Sequence, residues 1–137
     1  MTDHNIIIFG RSIGSGPATY VASHRNPAAL LMVSGFTSIK QVTKEQKGIG
    51  CLSFMVKEQF DNLKLIDNVQ CPTFFLHGLQ DKLISYQHSE LLSAKCGGIT
   101  HISKPEKMTH NNFQYLTDLL DPFLTFLIEQ GVLDDES

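Results

Sequence analysis

An apolar run breaks directly into a serine framed by glycines at Asn5–Gly16, NIIIFGRSIGSG, and this junction limits what the chain can fold into. Asn5–Phe9 is a continuous β-branched stretch, which predicts a strand buried on both faces of a parallel sheet. Gly14–His24 follows with Ala18, Val21 and Ala22 on one helical stripe, so strand passes to helix through the glycine turn. The small residues Gly16 and Ala18 would let that helix lie close to the sheet.

The alternation continues. Ala29–Val33 predicts a second buried strand, and Cys71–His77 a third, with Pro72 tolerable at its start. Ser85–Lys95 predicts a helix stopped by Cys96-Gly97-Gly98, and Ile99–Ser103 a short fourth strand. Asp121-Pro122 fits an N-cap followed by proline at the first helical position. That helix runs to about Gln130, closed by Gly131, with 132–137 as a frayed tail. Residues 36–70 have mixed periodicity; GIGCLSFMVKEQF suits a short helix within a longer excursion. Strands alternating with helices imply one α/β domain over 1–137, a parallel sheet with helices on both faces.

Composition narrows the function. Hydrophobic residues make up 42 % of the 137 and the formal charge is −3, with no basic stripe for nucleic acid. No polybasic cluster suits an anionic membrane, and no stretch suits a transmembrane segment or signal peptide. Cys51, Cys71 and Cys96 are dispersed, as expected of free thiols in a reducing, cytoplasmic setting. The six histidines lack zinc-ligand spacing, so neither a metal nor an organic cofactor is expected.

The glycine turn admits three readings. A dinucleotide loop lacks its third glycine and the acid after the next strand, and a Walker loop lacks its Gly-Lys-Ser/Thr. Gly10-Arg11-Ser12-Ile13-Gly14 fits G-x-S-x-G, a nucleophile elbow in which Gly10 and Gly14 avoid Cβ clashes at a tight turn. The hydroxyl of Ser12 would stand above the sheet's carboxyl edge, and the Ile13 N–H would face a developing oxyanion. The motif arises by chance in roughly 5 % of chains this long at average residue usage, so partners matter. A hydroxyl nucleophile needs a base, oriented in turn by a third group. Asp81, in HGLQDKLI after the third strand, and His110, in MTHNNF after the fourth, stand in the order Ser, Asp, His at one sheet edge. His77, at the strand end, reads as support for its turn, and Asp118 and Asp121 as helix-terminus residues.

Three stretches, IIIFGRSIGSGPATYVAS, FDNLKLIDNVQCPTFFLHGLQDKLI and HNNF, resemble the carboxyl-terminal half of α/β-hydrolases of the domain-containing 13 and 17 type. The resemblance spans nearly the whole chain. It implies a partial α/β-hydrolase fold with the strands before the nucleophile strand absent. It further implies Ser12 as nucleophile, Asp81 as acid, His110 as base, and a small acyl substrate or an S-acylated protein. The domain 17 branch is associated with removal of palmitoyl groups from proteins, a thioester hydrolysis, and implies peripheral membrane association. In two respects the sequence departs from the pattern: Thr109 stands where a glycine usually precedes the histidine, and no cysteine cluster opens the chain.

Three functional expectations follow: a serine hydrolase of acyl esters or thioesters, a shortened and inactive relative acting as an interaction module, and a weaker peptidase option. Only one oxyanion donor, Ile13, is encoded, and the loss of a donor lowers turnover on the order of 10²–10³. A first strand lacking one neighbour would leave an apolar edge prone to aggregation, so the chain alone is expected to be poorly soluble or nearly inactive. Oligomeric state is not legible.

Overall fold

The computed structural model describes residues 3–48, 50–55, 57 and 59–134. Four strands form one parallel sheet in the order β1-β2-β3-β4: β1 Ile7–Arg11, β2 Ala29–Val33, β3 Thr73–Leu76 and β4 Thr100–Ser103. Its helices are α1 Ser15–His24, α2 Ile39–Glu45, α3 Asn62–Leu65, α4 Gln87–Lys95 and α5 Asp121–Glu129. Short 3₁₀ turns cover Asp3–Asn5, Ser12–Gly14, Gly50–Met55 and Ile66–Asn68.

Period-two alternation sorts the strand side chains between two cores. Leu30, Met32 and Phe75 pack beneath the crossovers with Ala18, Ala22, Ile66 and Leu92. Leu31, Val33, Phe74 and Leu76 pack on the opposite face with Phe123, Phe126 and Leu127 of α5. Phe74 holds that second core together: its ring lies 5.6 Å from the rings of both Phe123 and Phe126 and stacks on His101 at 5.1 Å. Truncating such a residue to alanine removes about 3–5 kcal/mol.

β1 departs from the expectation of two buried faces. It lies at the sheet edge, pairing with β2, so Ile8 packs on the crossover core while Ile7 and Phe9 remain 40 % and 57 % exposed. The strand also begins later and runs on through Gly10 and Arg11.

The last helix corrects the expected cap. A π-helical turn over Tyr115–Leu120 leads straight into α5, and Asp121 is itself helical at φ −59°, ψ −50°. Proline has no N–H and its ring occludes the carbonyl of the preceding turn. The helix accommodates Pro122 with a widened turn rather than by starting there. Gly131, at φ +67°, closes α5, with the Val132 N–H donating to the Leu127 carbonyl at 2.9 Å. Val132 packs against the α5 core; residues 135–137 of the expected tail lie outside the described residues, as do 49, 56 and 58 of the excursion.

Register decides where the strands end together. Arg11 pairs with Val33, Val33 with Leu76, and Leu76 with Ser103. The residues that follow therefore leave the sheet along one carboxyl edge.

Candidate active site

At that edge the chain turns from β1 to α1 through Ser12, whose φ of 51° lies in the left-handed region. A non-glycine residue is held there only when its surroundings over-determine it. Gly10 makes the turn possible: a Cβ built on it would sit 2.5 Å from Cβ of Ala18 and 2.8 Å from the Gly14 carbonyl oxygen. Gly14 differs from the sequence reading. Its φ is −66° and a Cβ there would meet nothing within 4 Å, because the backbone is already right-handed at this cap of α1 and points that position to open space.

The structure brings Ser12, His110 and Asp81 together. Ser12 Oγ lies 3.0 Å from Nε2 of His110, and His110 Nδ1 lies 2.7 Å from Oδ2 of Asp81. These residues are 98 and 29 positions apart in sequence. Because Nδ1 faces a carboxylate it carries the proton, which leaves the Nε2 lone pair for the serine hydroxyl.

Asp81 is held from several sides. Its Oδ1 accepts the N–H groups of Leu83 and Ile84, each at 2.9 Å, an Asx-type turn that the residue forms within its own loop. Its Oδ2 accepts from His110 and lies 3.3 Å from Nε2 of His77. Burial alone would raise the carboxyl pKa; hydrogen bonds from His77, the Ile84 N–H and His110 override it and bring it down to about 2. The side chain is therefore an ionised acceptor at neutral pH.

Close backbone approach holds the two loops together. A Cβ on Gly78 would fall 2.1 Å from the Met108 carbonyl oxygen, and that same oxygen accepts the Gln80 N–H at 3.0 Å. Thr109 closes the histidine loop: its N–H donates to the Asn112 carbonyl, and its Oγ1 accepts the Asn112 N–H, both at 3.0 Å. The hydroxyl thus makes a turn bond that glycine could not.

Arg11 was not singled out by sequence. Its guanidinium donates to the His110 carbonyl at 2.8 Å and to Oδ1 of Asn111 at 3.0 Å, tying the elbow to the histidine loop. A cation at the variable position of the elbow, at the sheet edge and without a nearby acid in sequence, is the signal that could have found it. Ile13 is exposed and is the second residue of the 3₁₀ turn Ser12–Gly14, where the first N–H groups have no partner within the helix. Beside Ser12 lies a small, largely apolar cleft of about 130 Å³, lined by Ile13, Phe36, Ile39, Val42 and Ile84.

The parallel sheet, helices on both faces and a strand–serine–helix elbow define part of an α/β-hydrolase fold. Puromycin hydrolase shares that fold, at a TM-score of 0.73 and 15 % identity over 96 % of this chain and 23 % of that one. No protein-family model matches the chain. In sequence it is similar to human α/β-hydrolase domain-containing protein 17B, 26 % identical over 93 % of the chain and 43 % of the relative. It is likewise similar to the Caenorhabditis elegans α/β-hydrolase domain-containing protein aho-3, 30 % identical over 66 % of the chain and 26 % of the relative. The chain thus spans less than half the length of these relatives. Among the described residues no helix is long and apolar enough to cross a membrane.

Proposed function

We propose that the chain is a serine hydrolase of acyl esters or thioesters. The observation that carries this reading is the hydrogen-bonded row from Ser12 through His110 to Asp81. His110 Nε2 takes the hydroxyl proton as Ser12 Oγ attacks the acyl carbonyl carbon, and Asp81 stabilises the imidazolium and holds its tautomer. The Ile13 N–H donates to the tetrahedral oxyanion. As the intermediate collapses, the imidazolium returns its proton to the departing alcohol or thiol. The acyl-serine is then hydrolysed by a water that the same imidazole activates. The apolar cleft beside Ser12 receives the acyl group. Protein depalmitoylation is the finer form of this reading, and it rests on the resemblance to the domain 17 proteins.

The test is labelling by a fluorophosphonate probe, which reacts with activated serines. Wild-type chain is expected to label, Ser12→Ala to lose the label, and His110→Ala to weaken it. A folded wild-type chain that stays unlabelled refutes the enzyme. That result would favour the second reading, an interaction module, for which the exposed Ile7 and Phe9 on the β1 edge are the supporting observation. Comparing matched oxyester, thioester and peptide substrates separates the chemistries.

A further inference from the structure

The proposed reaction leaves two buried imidazoles unused, His77 and His88, and His77 is the one that reaches Asp81. His77 follows β3, has no solvent exposure, and has a polar partner for each ring nitrogen. Its Nδ1 lies 2.7 Å from Oγ of Ser89 on α4. Its Nε2 lies 2.9 Å from the Ile84 carbonyl oxygen and 3.3 Å from Oδ2 of Asp81.

Those distances assign the proton. A carbonyl and a carboxylate can only accept, so Nε2 must carry the hydrogen; Nδ1 then accepts the Ser89 hydroxyl. The ring is therefore oriented from α4 and donates into the site. The acid and one of its own partners meet at that N–H, because the residue whose carbonyl accepts from it, Ile84, donates its N–H to Oδ1 of Asp81. His77 thus joins both ends of the 81–84 turn and touches the carboxylate oxygen that receives His110.

We propose that His77 is a positioning residue for the hydrolytic relay. Its Nε2–H holds the Asp81 carboxylate in the rotamer that keeps Oδ2 on Nδ1 of His110, and Ser89 fixes the ring that does so. The inference rests on the serine-hydrolase reading given above. Without this donor, Oδ1 keeps its two backbone N–H bonds, but Oδ2 loses the N–H that lies 3.3 Å away and is steadied by His110 alone, so the carboxylate is held less firmly on Nδ1. A relay group displaced by about 1 Å lowers turnover on the order of a hundredfold.

The test uses the full chain and two substitutions at one position. In His77→Gln the amide nitrogen replaces Nε2 as donor; in His77→Leu the donor is lost at similar bulk. The expected result for His77→Leu is a labelling rate and kcat at least tenfold lower, with KM within twofold and thermal unfolding still cooperative. His77→Gln should recover activity to within about threefold of wild type, and Ser89→Ala should fall between the two. Wild-type chain that labels, alongside His77→Leu that labels equally fast, overturns the role of His77 and leaves the hydrolase intact. A folded wild-type chain that does not label overturns the hydrolase reading itself, and this role with it.

If His77→Leu does not fold, the wild-type protein still decides. ¹⁵N spectra of the histidine rings at neutral pH should show His77 with its proton on Nε2. A proton found on Nδ1 alone overturns the proposal, since Nε2 could not then donate to Asp81. Ser89→Ala gives the matching functional readout in that case, with slower labelling supporting the role and an unchanged rate refuting it.

Discussion

Ser12 stores backbone strain at the point where chemistry is proposed. A left-handed non-glycine residue costs about 1–3 kcal/mol, and its φ of 51° is kept by the turn around it. Ser12→Gly should therefore melt higher than Ser12→Ala, although both lose the probe label; equal melting temperatures would argue that the turn is relaxed. The flanking glycines make a second contrast. Gly10→Ala drives a methyl into Ala18 and the Gly14 carbonyl and should lower stability by about 1–3 kcal/mol, whereas Gly14→Ala should fold and label normally. Thermal melts and labelling of the two variants check this, and a tolerated Gly10→Ala is the damaging outcome. Asp81 gives a pH dependence whose sign is set by its lowered pKa. Its folded value of about 2 lies below the ordinary 3.8, so its contribution is present above pH 4 and is lost as pH falls toward 2. Unfolding followed between pH 5 and 2 should show Asp81→Asn losing less stability over that interval than wild type. The residue types and their order were legible because a strand, a glycine turn and two loop residues are local patterns. The Arg11 bond to the His110 carbonyl and the His77 approach to Asp81 were not, because each joins loops whose spacing depends on how strands pair.

Among the elements, the excursion between β2 and β3 is tied to α4 by a hydroxyl–imidazole–carboxylate row that looks catalytic but is structural. Thr37 Oγ1 lies 2.9 Å from Nδ1 of His88, and His88 Nε2 lies 2.8 Å from Oε2 of Glu45. The Thr37 backbone N–H also points at that Nδ1, at 3.2 Å, so the imidazole lone pair is occupied by a fixed donor. The Glu45 carboxyl, which slight burial would raise, is held below its ordinary range by hydrogen bonds from Gln41 and His88. The set ties both ends of α2 to α4 and so holds the helix whose Ile39 and Val42 line the cleft beside Ser12. Thr37→Ala should keep the Ser12-dependent label. His88→Leu should lower stability by about 1–3 kcal/mol by leaving the buried Thr37 N–H unpaired; label that survives Ser12→Ala and disappears on adding Thr37→Ala would instead mark a second reactive hydroxyl. This excursion was the least legible part of the sequence, since its short turns take their form from contacts with α4 and the sheet edge rather than from their own periodicity. The start of the last helix misled for a related reason. Asp-Pro is a good local cap, but the π turn before Pro122 lets buried Leu119 join the α5 core, and that burial outweighs the cap preference.

At the scale of the whole molecule, the sheet has two edge strands, β4 on one side and β1 on the other, and β1 is the one that leaves large apolar side chains exposed. An apolar parallel edge with Ile7 and Phe9 exposed is a template for pairing with another chain. Phe9→Lys should reduce self-association of the chain, measured by light scattering across a concentration series, without moving the melting temperature by more than a few degrees. Unchanged scattering would show that the edge is not the sticky surface. What the sequence by itself determined is the alternation of strand and helix, the elbow, and the identity of the residues that could act at it. Hydrophobic period and turn chemistry are short-range properties, readable within a dozen residues. What only the tertiary structure decided is that these residues meet. Parallel register sets Arg11, Val33, Leu76 and Ser103 side by side, so loops far apart in sequence leave the sheet together. That register is chosen by burying two core faces at once, a long-range packing requirement that no single segment contains.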